Sequence, residues 1–145
     1  MTECAREIIW SPAFSTGVAE IDSQHQTLLD ILNALIRAGR QEMSERRTRN
    51  LLWQKFGELN EYAAFHFLSE EKLMQEHAPT ETATARHIAQ HRNYWVTVSE
   101  FKDRYQAGDD QVLGDLTGFL ATWWVEHIRG TDVQLGHELT LKGVR

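Results

Sequence analysis

The chain has 145 residues, 41% of them hydrophobic and only two of them proline, with a formal net charge of -6. That length suits a single domain with its own core, and the acidic balance excludes the basic surface that a nucleic-acid backbone requires, so no nucleic-acid partner is expected. No run nears the roughly 18 apolar residues of a membrane span, the first residues lack a leader's apolar core, and the single cysteine, Cys4, has no internal partner. A soluble cytoplasmic protein without a membrane partner is the expectation.

Residues 1–21 carry Ile8, Ile9, Trp10, Phe14, Val18 and Ile21 among Ser, Pro and Gly without a steady period. They read as an extended N-terminal arm covering one end of a bundle, with Trp10 and Phe14 over the core. Asp22 or Ser23 can cap a first helix, and Ser23 with Gln26 has the form of a capping box. His25, Leu28, Leu29, Leu32, Leu35 and Ile36 then follow the 3.6 period, and Gly39 suits the residue just past the end.

Ser44 can cap a second helix, whose inward stripe runs Leu52, Phe56, Leu59, Tyr62, Ala63, His66, Glu70, Leu73 and Met74. A carboxylate buried on such a stripe is very costly without a cation or strong hydrogen bonds, which marks Glu70; Glu71, about 100° round, reads as solvated. Pro79 ends this helix, and Thr80 or Thr82 can cap a third, showing His87, His91, Tyr94, Val98, Phe101 and Tyr105 on one side and stopping near Gly108. The fourth begins at Asp109 or Asp110 and shows Val112, Leu113, Leu116, Phe119, Leu120, Trp123, Trp124, His127 and Ile128. Residues 133–145 read as a C-terminal tail. Four amphipathic helices with short connections predict an all-α, up-down-up-down four-helix bundle over residues 22–132.

A lone histidine on an apolar face is usually a hydrogen-bonded core residue, but five of the seven histidines fall on predicted inward faces of four helices. His66 with Glu70 and His87 with His91 are each four residues apart, so on a helix each pair points one way, one turn apart. His127 with Asp132 is five apart, which a regular helix would splay by about 140°; Gly130 between them offers a break that re-aims Asp132. Together with His25, five imidazoles and two carboxylates converge, a set that suits two metal ions better than one. His77 and His137 read as surface residues. No His-Glu-x-x-His sequence and no phosphate-binding glycine loop is present.

These residues resemble the hemerythrins, above all the single-domain bacteriohemerythrins: Trp10 with Phe14 and Gly17, Ile21-Asp22-x-x-His25, His66-Phe67-x-x-Glu70-Glu71-x-x-Met74, His87-x-x-x-His91, and Trp123-x-x-x-His127-Ile128-x-x-x-Asp132. The resemblance implies two non-haem iron ions joined by an oxo or hydroxo bridge. His87, His91 and His127 would complete one iron, His25 and His66 would serve the other, and Glu70 and Asp132 would bridge them, leaving the two-histidine iron an open position for O2. The chain departs from the family in having Ala78 where an aromatic residue commonly precedes the turn proline. Its Pro79-to-His87 interval is also about one helical turn longer, which is expected to extend the start of the third helix.

Ferritin-like sites use four carboxylates and two histidines; a centre with two carboxylates and five histidines stabilises high-valent iron less, which favours reversible oxygen binding over substrate oxidation. Trp123 and Trp124, on the face of His127, are expected to line the oxygen pocket. An O2-binding protein for storage, delivery or sensing is therefore the first reading, with a separate signalling or oxygen-accepting protein as its partner. The alternative is a di-iron redox enzyme acting on peroxide, nitric oxide or a small substrate; no further acid, base or nucleophile stands out to favour it. A zinc-stabilised structural bundle ranks last, because the ligand set exceeds what one tetrahedral zinc needs.

Overall fold

The computed structural model describes residues 5–40, 45–77 and 79–145. After a short 3₁₀ turn at Pro12–Phe14 come α1 (Ala19–Ala38), α2 (Glu45–His77), α3 (Glu81–Gln106) and α4 (Val112–Glu126). A π-helical turn, His127–Asp132, then leads into α5 (Val133–Leu141). Each long helix packs on the next in chain order and α4 closes against α1, which makes the expected four-helix bundle. The spacing of apolar residues explains it: Leu28, Leu32, Leu35 and Ile36 of α1, Leu52, Phe56 and Leu59 of α2, and Val112, Leu116, Leu120 and Trp124 of α4 are all buried. Burial of each such side chain contributes roughly 1.5–3 kcal/mol.

The helix ends refine the sequence reading. α1 begins at Ala19, a turn earlier than expected, so Asp22 and Ser23 lie inside it and cap nothing. Asp22 instead turns back to the arm, its carboxylate accepting hydrogen bonds from the Thr16 N–H and the Thr16 hydroxyl, each at 2.8 Å. Thr80 flanks the start of α3, which runs from Glu81 and so takes up the long Pro79-to-His87 interval as helix. Gly108, at φ 82°, supplies the left-handed residue that ends α3. α4 starts at Val112 rather than at Asp109 or Asp110; Asp109 holds the preceding turn through the Gln111 N–H at 2.9 Å. Ser44 and Ala78 lie outside the described residues.

Two expectations are corrected. Only the last part of the arm, around Thr16 and Val18, packs at an end of the bundle; the rest runs along α1, in the groove toward α4. Glu7 pairs with Arg37 at 2.5 Å near the end of α1. The Ile8 backbone exchanges hydrogen bonds with the Asn33 amide at 2.8 and 2.9 Å, and Thr16 meets Asp22 near the start of the helix. Ile8 also borders a cleft with Ala121 and Val125 of α4. An extended chain whose polar groups are satisfied along a helix flank needs no end to sit on. Phe14 enters the core and Trp10 stacks on it at 5.6 Å.

The second correction concerns residues 133–145, where Val133–Leu141 is helical. Leu135 and Leu139 continue the inward period and join Val18, Ile21 and Met74 in a second, smaller apolar cluster. Gly136 is where the arm crosses this helix: a Cβ there would lie 2.2 Å from the Thr16 carbonyl oxygen. The smaller cluster closes one end of the bundle, the main core fills the rest, and the buried histidines and carboxylates form a polar layer between them.

Candidate metal centre

The three spaced pairs behave as helix geometry dictates. His66 and Glu70 on α2, and His87 and His91 on α3, project from successive turns of one face, while His25 comes from α1. His127 and Asp132 open and close the π turn, which bonds i to i+5 and so brings residues five apart into near alignment. The break expected at Gly130 thus takes the form of a widened turn rather than a helix end. Asp132 has no exposed surface, nor do His25, His66 and Glu70; His87, His91 and His127 are at most 3% exposed.

Two overlapping groups result, each with its candidate ligand atoms within 4.8 Å of one another. One is Glu70, His87, His91 and His127; the other is His25, His66, Glu70 and Asp132. Asp132 spans both, with Oδ2 at 2.8 Å from His25 Nε2 and Oδ1 at 2.9 Å from His87 Nε2 and 3.1 Å from His127 Nε2. Glu70 also spans them, with Oε1 2.8 Å from His66 Nε2 and 3.6 Å from His91 Nε2, and Oε2 3.6 Å from His87 Nε2. His77 and His137 stand apart; the His77 carbonyl accepts a hydrogen bond from Lys142 at 2.5 Å, and His137 is exposed.

His25 Nε2 is within hydrogen-bond geometry of Asp132 Oδ2 at 2.8 Å and of His66 Nε2 at 3.1 Å, but most of the other close contacts lack hydrogen-bond directions. Among the described residues, both Glu70 oxygens, Asp132 Oδ1 and the Nε2 atoms of His87, His91 and His127 are buried without a hydrogen-bond partner. Two glutamines missed at the level of sequence explain part of this. Gln24 Oε1 lies 2.8 Å from His66 Nδ1, and Gln90 Oε1 lies 2.7 Å from His127 Nδ1 and accepts a further bond from the Thr131 hydroxyl at 2.8 Å. With an amide oxygen facing it, Nδ1 carries the proton, which leaves Nε2 a bare lone pair turned toward carboxylate oxygens. Acceptors so opposed in a dry interior repel unless positive charge lies between them, so the residues fit metal cations. The only sequence signal for either glutamine was its place directly before His25 or His91.

Protons can supply such charge as well. Burial works against charging His66, but the Glu70 and Asp132 carboxylates beside it push its pKa up to about 10. His87, likewise buried, also reaches about 10 through Asp132 and Glu70. Burial and their mutual repulsion would raise Glu70 and Asp132, yet the surrounding histidines hold both well below the usual carboxylate range. For His91 burial prevails over Glu70, and its pKa is lowered. Metal binding must displace such protons.

Aromatic rings enclose the ligands. Phe67 stacks on His91 at 3.9 Å and on Trp124 at 5.4 Å. The two tryptophans expected at one pocket have different places. Trp124 is fully buried, 6.2 Å from both the His66 and His127 rings, while Trp123 lies flat against His127 at 4.4 Å and is partly exposed. Glu71, expected to be solvated, is 34% exposed and leans to within 3.7 Å of His91 Nδ1.

An all-α bundle with buried histidines gathered around shared carboxylates between two apolar layers defines a protein able to bind metal. The Hemerythrin HHE cation binding domain matches residues 16–136, and the chain belongs to the hemerythrin family. It is 30% identical over 125 residues to a bacteriohemerythrin of Pseudomonas paraeruginosa, covering 86% of this chain and 76% of that one. It is 30% identical over 128 residues to the bacteriohemerythrin of Methylococcus capsulatus, covering 88% and 92%. A solved wild-type hemerythrin superposes with a TM-score of 0.78 at 29% identity, covering 92% of this chain and 98% of that one. No described helix is long and apolar enough to cross a membrane.

Proposed function

We propose that this chain binds dioxygen reversibly at a non-haem di-iron centre, for storage, delivery or sensing. His87, His91 and His127 would hold one iron, His25 and His66 the other, and Glu70 and Asp132 would bridge the pair. The observation that carries the reading is the unequal histidine count, three against two, around shared carboxylates in a fully buried layer. It would leave one metal position with fewer protein ligands, at the pair that has no exposed surface. The bacteriohemerythrin relatives support it.

The iron pair, when bound, supplies the two electrons that oxygen draws on and returns. The chain's own residues supply the rest. Gln24 and Gln90 fix the tautomer of His66 and His127, and Phe67, Trp124 and Ile128 keep water and protons away. The centre has few carboxylates to favour more oxidised iron. A partner protein that accepts oxygen or a signal would act on the loaded state.

The test is optical: protein loaded with ferrous iron under nitrogen is exposed to oxygen and then purged. A visible charge-transfer band that rises and then vanishes with recovery of the ferrous state is the expected result. A one-way conversion to the ferric form refutes reversible binding, and no band at all refutes the di-iron assignment.

A further inference from the structure

Gln24 sits beside His25 on α1 but reaches across to His66 on α2. Gln90 sits beside His91 on α3 but reaches His127 and, in the π turn, Thr131, the neighbour of Asp132. Each metal position thus has one ligand histidine held from behind by a glutamine of another helix. In many metal sites that rear acceptor is a carboxylate, which makes the imidazole a stronger donor. The nearest carboxylate to a rear nitrogen here is Glu71, 3.7 Å from His91 Nδ1 and beyond hydrogen-bond reach. Gln24 is only 6% exposed, in surroundings where an added charge would be weakly screened.

We infer that Gln24 and Gln90 are positioning residues whose neutral amides hold the centre toward its reduced, oxygen-binding state; this rests on the di-iron reading above. An amide oxygen gives the imidazole the orientation that a carboxylate would give, without the negative charge that favours ferric iron. The pairing across helices also ties the two ligand sets together, since Gln90 joins α3 to the turn that aims Asp132.

The test uses iron-loaded full-length protein and a redox titration followed optically. Gln24→Glu and Gln90→Glu keep an acceptor and add charge; each is expected to lower the midpoint potential and speed conversion to the ferric form in air about tenfold. Gln24→Leu and Gln90→Leu remove the acceptor; they are expected to raise the potential and to lose iron to a chelator roughly 10–100-fold faster. Loosened packing alone would move both kinds of variant the same way. Equal potentials, or shifts of one sign in both, overturn the inference, and where only one kind folds the sign of its shift decides. Failure of the wild-type protein to bind iron or oxygen is a different result and strikes the underlying reading instead.

Discussion

Around His25 and His66 the centre offers two imidazoles with no exposed surface, whereas around His87, His91 and His127 it offers three that come close to solvent. A cleft of about 250 Å³ lined by Gln90, Trp123, Glu126, His127 and Thr131 reaches His127, and a smaller one of about 50 Å³ between Met74, Pro79 and Leu135 reaches His87. The position with fewer ligands is therefore the more enclosed one. On the di-iron reading proposed above, the metal position with fewer protein ligands would be the one better shielded from solvent.

The comparison breaks most completely at Asp132, whose two oxygens lie within 2.9 Å of a histidine of each group. Asp132→Ala is expected to abolish the optical band and to drop bound iron from two ions per chain to one or none, measured by metal analysis; retention of two ions would remove its bridging role. Replacing the tryptophans sharpens it. Trp124→Ala, a fully buried side chain lost, is expected to cost about 3–5 kcal/mol of stability and to speed conversion to the ferric form. Trp123→Ala, at a partly exposed ring against His127, is expected to cost less and to leave that rate near wild type; equal rates in the two variants would erase the distinction. The smallest expected effect comes from the arm. Gly136→Ala places a Cβ against the Thr16 carbonyl and should lower stability by roughly 1–3 kcal/mol; an unchanged thermal midpoint would mean that the arm yields freely.

The four long helices and the gathering of seven histidine and carboxylate side chains were legible because both kinds of information are largely periodic. A stripe such as Leu28, Leu32 and Leu35 repeats with the helix, and His66 with Glu70 repeats with it too. What escaped was set by contacts between distant segments. Leu135 and Leu139 carried the period past Asp132, but their burial depends on Val18, Ile21 and Met74, so the stretch passed for a tail. The course of the arm follows from Asn33 and Asp22, polar side chains of α1 whose partners lie 25 and 6 residues earlier in the chain. Asp22 looked like a cap because capping and arm-binding ask for the same short carboxylate. Gln24 and Gln90 sit among ordinary helix formers, and nothing local tells a glutamine that backs a ligand from one that faces solvent.

The π turn also bears on where the chain could absorb a change in its length. Two ligand pairs are four residues apart and the third is five apart, so the turn amounts to one extra residue wound into an ordinary pair, with Leu135 and Leu139 still in step with Asp132 behind it. A chain lacking one residue between His127 and Asp132 would present the same two side chains from a regular helix. The same deletion between His66 and Glu70, or between His87 and His91, would move one side chain from about 40° on one side of its partner to about 60° on the other, and would turn everything behind it by about 100°. Of the three ligand pairs, this is the one where the reading frame of the helix has slack.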